Sequence, residues 1–347
     1  MKEAMLYEKL SDKRVHCHLC AHECRIAEGR KGVCQVRENR DGTLHTLVYG
    51  RAIARHVDPV EKKPLFHFYP GSRAYSMATP GCNFRCTWCQ NADISQMPRE
   101  RHLHMGTEAS PEELVSAARQ NRCRSVAYTY TEPTIFFEYA YGTARLAHDA
   151  DLANVYVTNG FMTEEMLETF DPLLDAANVD LKAFQDETYR EYIGARLQPV
   201  LDSLRKMKTL GVWVEVTTLV IPALNDSSEE LHDIATFIAD ELGPETPWHI
   251  SRFRPAYKMR DRTATSLSTL REARTIGKEA GLHYVYLGNV PGASNTVCHA
   301  CGEMLIRRSG YRLVDNRITD EIACPNCGAE VAGVGMTEAA YDKRAFA

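Results

Sequence analysis

The stretch PGCNFRCTWCQN (80–91) places three cysteines, Cys82, Cys86 and Cys89, within eight positions. Disulfides need thiols in pairs, and a structural zinc ion is closed by four protein ligands. Three thiolates on one loop instead leave one position of a metal centre open. The chain holds 12 cysteines. Eight more fall into two groups, Cys17, Cys20, Cys24 and Cys34, then Cys298, Cys301, Cys324 and Cys327, and Cys123 stands alone. The charged N-terminus MKEAMLYEKLSDKR has no apolar run ahead of a cleavage site, and no stretch approaches ~18 apolar residues. A cytoplasmic protein that crosses no membrane is therefore expected. In a reducing compartment, grouped cysteines favour metal sites over disulfides.

Around the three-cysteine loop the chain alternates two patterns. Short β-rich runs occur at 73–79, 125–131, 154–158, 178–182, 212–221, 248–253 and 283–288. Helical patterns lie between them at 110–121, 163–170, 199–211, 228–243 and 266–281. The first of these has Ser110 as N-cap and Pro111 at its first helical position. Strand–helix alternation predicts an α/β fold, a parallel sheet with helices outside, either open or closed into a barrel. A hydrophobic fraction of 44% supplies a real core for it. In such barrels chemistry gathers at the C-terminal ends of the strands. The cysteine loop follows the first run, Glu132 follows the second, and Thr158 with Asn159 ends the third. Asp180 and Lys182 sit on the fourth, and His249 lies on the sixth. Polar residues commonly mark strand ends, which accounts for the Asn159–Gly160 turn. It accounts poorly for an Asp and a Lys inside an apolar run.

The spacing C-x3-C-x2-C after the first strand resembles the signature of the radical S-adenosylmethionine (radical SAM) superfamily. That resemblance implies a partial (β/α)6 TIM-like barrel. In it, three thiolates hold three irons of a 4Fe–4S cluster, and S-adenosylmethionine chelates the fourth. Reductive cleavage would then give a 5′-deoxyadenosyl radical for hydrogen abstraction. A zinc knuckle borrowing a fourth ligand is the plainer alternative. From about 74 to 290 the chain is most similar to the pyruvate formate-lyase activating enzyme group. The resemblance makes Glu132 an acceptor for the methionine ammonium, Thr158 and Asn159 a turn lining the nucleoside, and Lys182, near Asp180, a partner for the methionine carboxylate. It also brings His249 near the ribose. Trp88 is expected near the adenine. Two departures stand out: Tyr-Thr replaces a Gly-Gly pair before Glu132, and Val157 replaces an Asp that helps hold a monovalent cation.

At finer scale CHLCAHECRIAEGRKGVCQVREN, AYTYTEPTIFFEY and PWHISRFRPAYK resemble the radical SAM enzyme of the AmmeMemoRadiSam system. The companions so implied are an AMME-type and a Memo-type protein. An electron donor of flavodoxin or ferredoxin type is also implied, and a protein substrate is the natural first expectation.

The expected organisation is an N-terminal Cys-rich module (1–60), the barrel (61–292) and a C-terminal zinc ribbon (293–347). In the ribbon CHAC and CPNC flank a hairpin pattern, and Cys298, Cys301, Cys324 and Cys327 suit a closed zinc site. The ribbon follows LGNVPG near the end of the last strand, so it is expected to cover the barrel mouth, dock a partner, or act as a structural staple. Cys17, Cys20, Cys24 and Cys34 suit either zinc or a second iron–sulfur cluster, and His16, His18 and His22 offer substitute ligands that tilt the choice toward zinc. Cys123 reads as a small buried residue. The basic stretch RFRPAYKMRDR (252–262) suits solvent or an anionic substrate. Alternatives to a radical enzyme with a protein substrate are RNA or small-molecule modification and a metal-binding adaptor. The net charge of −5 counts against a general nucleic-acid binder.

Overall fold

The computed structural model describes residues 1–292 and 294–337. Its centre is an eight-stranded sheet: β1 (Ala54–Pro59), β2 (Arg73–Ala78), β3 (Ser125–Tyr128), β4 (Ala153–Thr158), β5 (Ala176–Asp180), β6 (Trp213–Val220), β7 (Trp248–Arg252) and β8 (Val285–Gly288). Spatial order follows chain order from β8 to β1. Strands β2 to β8 run parallel, and β1 pairs antiparallel with β2. The edges β1 and β8 do not pair with each other, so the sheet is an open barrel. Helices α1 (Pro111–Gln120), α2 (Phe137–His148), α3 (Glu164–Phe170), α4 (Gln198–Thr209), α5 (Ser228–Phe237) and α6 (Leu267–Glu279) alternate with the strands. Six strand–helix units followed by β8 reproduce the expected (β/α)6 pattern, with one added strand at each edge.

Local sequence explains the boundaries. Helix α1 starts in a capping box: Ser110 accepts from the Glu113 N–H, and the Glu113 carboxylate accepts from the Ser110 N–H. Thr163, Ser227 and Ser266 cap α3, α5 and α6 more simply, their side chains accepting from the N–H groups of Met166, Glu230 and Thr269. Strand β3 stops at Tyr128, short of the expected 131, and Tyr130 adopts φ +65°. Strand β5 stops at Asp180, so Lys182 lies beyond the strand and not on it.

The segment 60–72 crosses the N-terminal end of the barrel and forms its floor. The N–H groups of Phe66 and His67 donate to Glu215, near the start of β6. The Pro64 carbonyl accepts from the Asn178 amide of β5. Beneath this floor lies a C-terminal hairpin of β9 (Thr296–Val297), β10 (Met304–Ser309) and β11 (Arg312–Asn316). Its buried Leu305, Ile306 and Met336 pack with Phe66, Tyr284 and Tyr286. Arg308 is fully buried against Glu61 at 3.3 Å. The expected cover over the barrel mouth is thereby corrected: the hairpin seals the opposite end, because its apolar face matches the aromatic floor.

The N-terminal residues form two three-stranded sheets, one from Lys2–Glu3, Thr43–Thr46 and Arg37–Arg40, the other from Tyr7–Lys9, Val15–Cys17 and Arg25–Ile26. Val15, Ile26, Val36 and Leu44 are buried in one core with the barrel side chains. Buried Arg37 pairs there with Glu138 of α2.

Candidate active site

The cysteine loop leaves β2 at its C-terminal end. Gly81 begins it at φ +111°, and a Cβ there would lie 2.7 Å from Val36 Cγ1. Only glycine fits both the left-handed backbone and that contact. The N–H groups of Arg85 and Thr87 donate to the carbonyls of Ile193 and Tyr192, at 2.9 and 3.1 Å. Gln96 and Arg99 side chains donate to the Phe84 carbonyl. The loop is thus held by backbone on both flanks, and its three sulfurs face one cavity of about 270 Å³.

Around that cavity the parallel strands present their C-terminal ends. Glu132 is buried, and Oε1 accepts from Thr134 N, Thr134 Oγ1 and Thr158 Oγ1 at 3.0, 2.6 and 2.7 Å. Its Oε2 accepts from Asn159 N at 2.8 Å. Burial raises its pKa even against these donors. Asn159 Nδ2 donates to Asn83 Oδ1 at 2.8 Å, tying the Thr158–Gly160 turn to the cysteine loop. Gly160 has φ +69°, and a Cβ there would meet Val179 at 2.8 Å.

Lys182 Nζ lies 2.7 Å from Asp180 Oδ2. Burial alone would lower the lysine pKa, but the Asp180 carboxylate beside it outweighs this and holds the ammonium charged. Burial pushes the Cys82 thiol well above its usual range, with Glu132 and Cys86 adding to the effect, and takes Cys86 to about 12. These thiols therefore favour the protonated form, and any metal bound there would have to displace their protons. The donor set fits a cluster: three convergent thiols beside a charged Lys182 and a carboxylate at Glu132.

Cys82, Cys86, Cys89, Glu132, Thr158 and Asn159 all line this cavity, as do Asp180, Lys182 and Trp88. His249 does not. It points to Glu215 at 2.6 Å in a buried layer below, stacked on Tyr286. The resemblance-based expectation for His249 and the observed position therefore disagree. Two residues further along the same face of β7, Ser251 lines the cavity instead, with Thr217 and Leu219 of β6. Period-two alternation along a strand whose C-terminal end is active would have pointed to Ser251. Cys123 is buried in the core and lines no part of the cavity. In the 252–262 stretch Arg254, Lys258 and Arg260 are exposed, and the Lys258 N–H donates to the Thr87 carbonyl of the cysteine loop at 2.9 Å.

At the C-terminal hairpin the four sulfurs lie within 4.8 Å of one another, with Cys298–Cys327 and Cys301–Cys324 each at 3.7 Å. Cys17, Cys20 and Cys34 are buried and Cys24 half-buried in the N-terminal sheets. None of His16, His18 and His22 joins them. His16 and His18 face Glu8, and His22 Nε2 meets the Asn83 carbonyl at 2.9 Å. Among the described residues no helix is long and apolar enough to cross a membrane.

A profile of the radical SAM superfamily matches residues 77–238. The uncharacterized protein MJ0808 of Methanocaldococcus jannaschii is 44% identical over 334 residues, covering 95% of this chain and 99% of that one. The pyruvate formate-lyase-activating enzyme of Clostridium pasteurianum is 26% identical over 200 residues, covering 52% of this chain and 80% of that one. GTP 3′,8-cyclase 2 of Pseudomonas aeruginosa is 27% identical over 172 residues, covering 47% of this chain and 50% of that one.

Proposed function

Because the chain belongs to the radical SAM superfamily and is an enzyme of it, we propose that Cys82, Cys86 and Cys89 hold a 4Fe–4S cluster whose fourth iron takes S-adenosylmethionine. When bound and reduced, that pair supplies a 5′-deoxyadenosyl radical for hydrogen abstraction from the substrate. One observation carries the reading: the three thiols open into the same cavity as Glu132, Asn159 and Lys182. Glu132 presents a carboxylate fixed by four donors and receives the methionine ammonium. Lys182 stays charged beside Asp180 and attracts the methionine carboxylate. Thr158 and Asn159 support the nucleoside, and Trp88 offers its ring to the adenine. His249 acts on the site only from below.

We place a protein substrate first, as in the activating enzymes, and an electron donor of flavodoxin or ferredoxin type. The resemblance to the AmmeMemoRadiSam system makes AMME-type and Memo-type proteins the first partners to try. The C-terminal hairpin is a zinc ribbon in this reading. A tetrahedral ion with Zn–S near 2.3 Å sets its sulfurs about 3.8 Å apart, against the 3.7 Å found. None of the twelve cysteines is joined in a disulfide, which agrees with a reducing setting. A second reading, a nucleotide or RNA substrate, draws on the exposed Arg254, Lys258 and Arg260 beside the cysteine loop and on the cyclase relative.

The test is anaerobic reconstitution with iron and sulfide, reduction, and a search for 5′-deoxyadenosine with each companion protein or a nucleotide present. Product that rises with one of them supports the reading and names the substrate class. No 5′-deoxyadenosine from a fully reconstituted, reduced protein overturns it.

A further inference from the structure

We propose that Cys17, Cys20, Cys24 and Cys34 hold an iron–sulfur cluster of their own, separate from the cavity, and not a zinc ion. Cys17 ends the strand Val15–Cys17, and Cys20, Cys24 and Cys34 lie on the connections between the short N-terminal strands. The Cys17 N–H donates to the Cys24 carbonyl at 3.0 Å, which closes the loop between them. Cys20, Cys24 and Cys34 each lie close enough to Cys17 to couple with it electrostatically. The nearby histidines turn away, so the donor set is sulfur alone.

Spacing separates the two metals. Around one zinc ion every ligand sulfur touches the same small sphere, and the sulfurs crowd to about 3.8 Å. In a 4Fe–4S cluster, the type proposed here, each thiolate binds a different iron, so the sulfurs stand further apart. The molecule carries both kinds of spacing. The four ribbon sulfurs lie within 4.8 Å of one another, whereas Cys82, Cys86 and Cys89 do not gather so closely. Among the described residues, no three of the N-terminal sulfurs lie mutually within 4.8 Å either. They follow the wide pattern of the cavity loop.

The surroundings are those of a tuned redox centre. Arg37, 1% exposed, donates Nη1 to Cys17 Sγ at 3.0 Å, and the Val33 N–H donates to Cys24 Sγ at 3.5 Å. Donors to ligand sulfur stabilise the electron-rich reduced form and raise the potential. The site also backs directly onto the cavity wall. The Cys34 carbonyl lies 3.5 Å from where a Cβ of Gly81 would be, and Cys20 bridges Met162, three residues past Asn159.

The test uses the full chain with Cys82→Ala, Cys86→Ala and Cys89→Ala together, prepared anaerobically. Iron and inorganic sulfide should remain, with visible charge-transfer absorption and a paramagnetic signal after one-electron reduction by dithionite. Zinc should stay at about one per chain, in the ribbon. Adding Cys20→Ala and Cys34→Ala should remove the iron and leave the zinc. About two zinc per chain with no iron, or no metal at these thiols, overturns the proposal. If the triple variant does not fold, the reduced wild type decides: two paramagnetic signals, of which S-adenosylmethionine perturbs only one, support the second cluster, and a single signal refutes it. The comparison of spacings rests on the proposed cavity cluster, but the iron analysis does not. A chain that never cleaves S-adenosylmethionine but keeps this iron would fault the radical reading alone.

Discussion

His249 Nε2 lies 2.6 Å from Glu215 Oε2, with both side chains sealed from solvent. Glu215 also receives the N–H groups of Phe66 and His67 and the Trp213 Nε1–H. Burial works to raise its pKa, but the His249 bond and the nearby charges more than offset this, so the carboxylate stays ionised. The pair stitches β6 and β7 to the floor segment beneath the cavity. Breaking a buried pair strands its partner. His249→Ala should therefore lower stability by about 3 kcal/mol in urea unfolding, while S-adenosylmethionine affinity changes less than about twofold. A large affinity loss at unchanged stability would return His249 to the cofactor site.

Acid should loosen the same floor. Burial is the main cause that pushes His67 from 6.5 to about 4, and its ring sits between the Ala332 carbonyl and Tyr286 OH. Between those values the unfolded chain binds the proton and the folded chain does not. Stability is thus present above pH 6.5 and is lost as pH falls toward 4, by on the order of 3 kcal/mol in all. Thermal melts across that window should show the slope, and His67→Gln should flatten it. An unchanged slope in the variant would assign the acid effect elsewhere.

Cys86→Ala should abolish the absorption of the cavity cluster and all 5′-deoxyadenosine formation. The thiol supplies one of three iron ligands, and nothing beside it replaces sulfur. Normal cleavage by this variant would remove the loop from the chemistry.

Lys182→Ala should weaken S-adenosylmethionine binding about tenfold, the worth of one charge-assisted hydrogen bond. Iron content should stay at the wild-type level. Calorimetric titration of the reconstituted variant checks both statements, and undiminished affinity would take Lys182 out of the pocket.

Removing metal from the ribbon should destabilise the barrel and not merely the C-terminus. Leu305 and Ile306 cover Phe66, Tyr284 and Tyr286, and Arg308 neutralises buried Glu61. Cys324→Ser should lower the melting temperature and release about one zinc per chain, with the cavity cluster still assembling in the cold. A melting curve indifferent to this change would make the hairpin an independent appendage.

Much of the site was legible locally. C-x3-C-x2-C specifies three thiols on one loop, and alternating runs specify a parallel sheet, because period-two and helical patterns follow from backbone geometry alone. Direction along a parallel strand then places Glu132, Thr158 and Asn159 at one end. What required the tertiary structure was depth and side. His249 and Ser251 share one face of β7, and only packing against Glu215 decides which of them lies below the cavity and which lines it. The placement of the C-terminal hairpin under the floor depends on contacts such as Arg308–Glu61, separated by 247 residues, which no local pattern encodes. The choice between one metal ion and a cluster turns on distances between sulfurs. Those are set by how far the folded backbone spreads the thiols, and equal cysteine counts cannot express that.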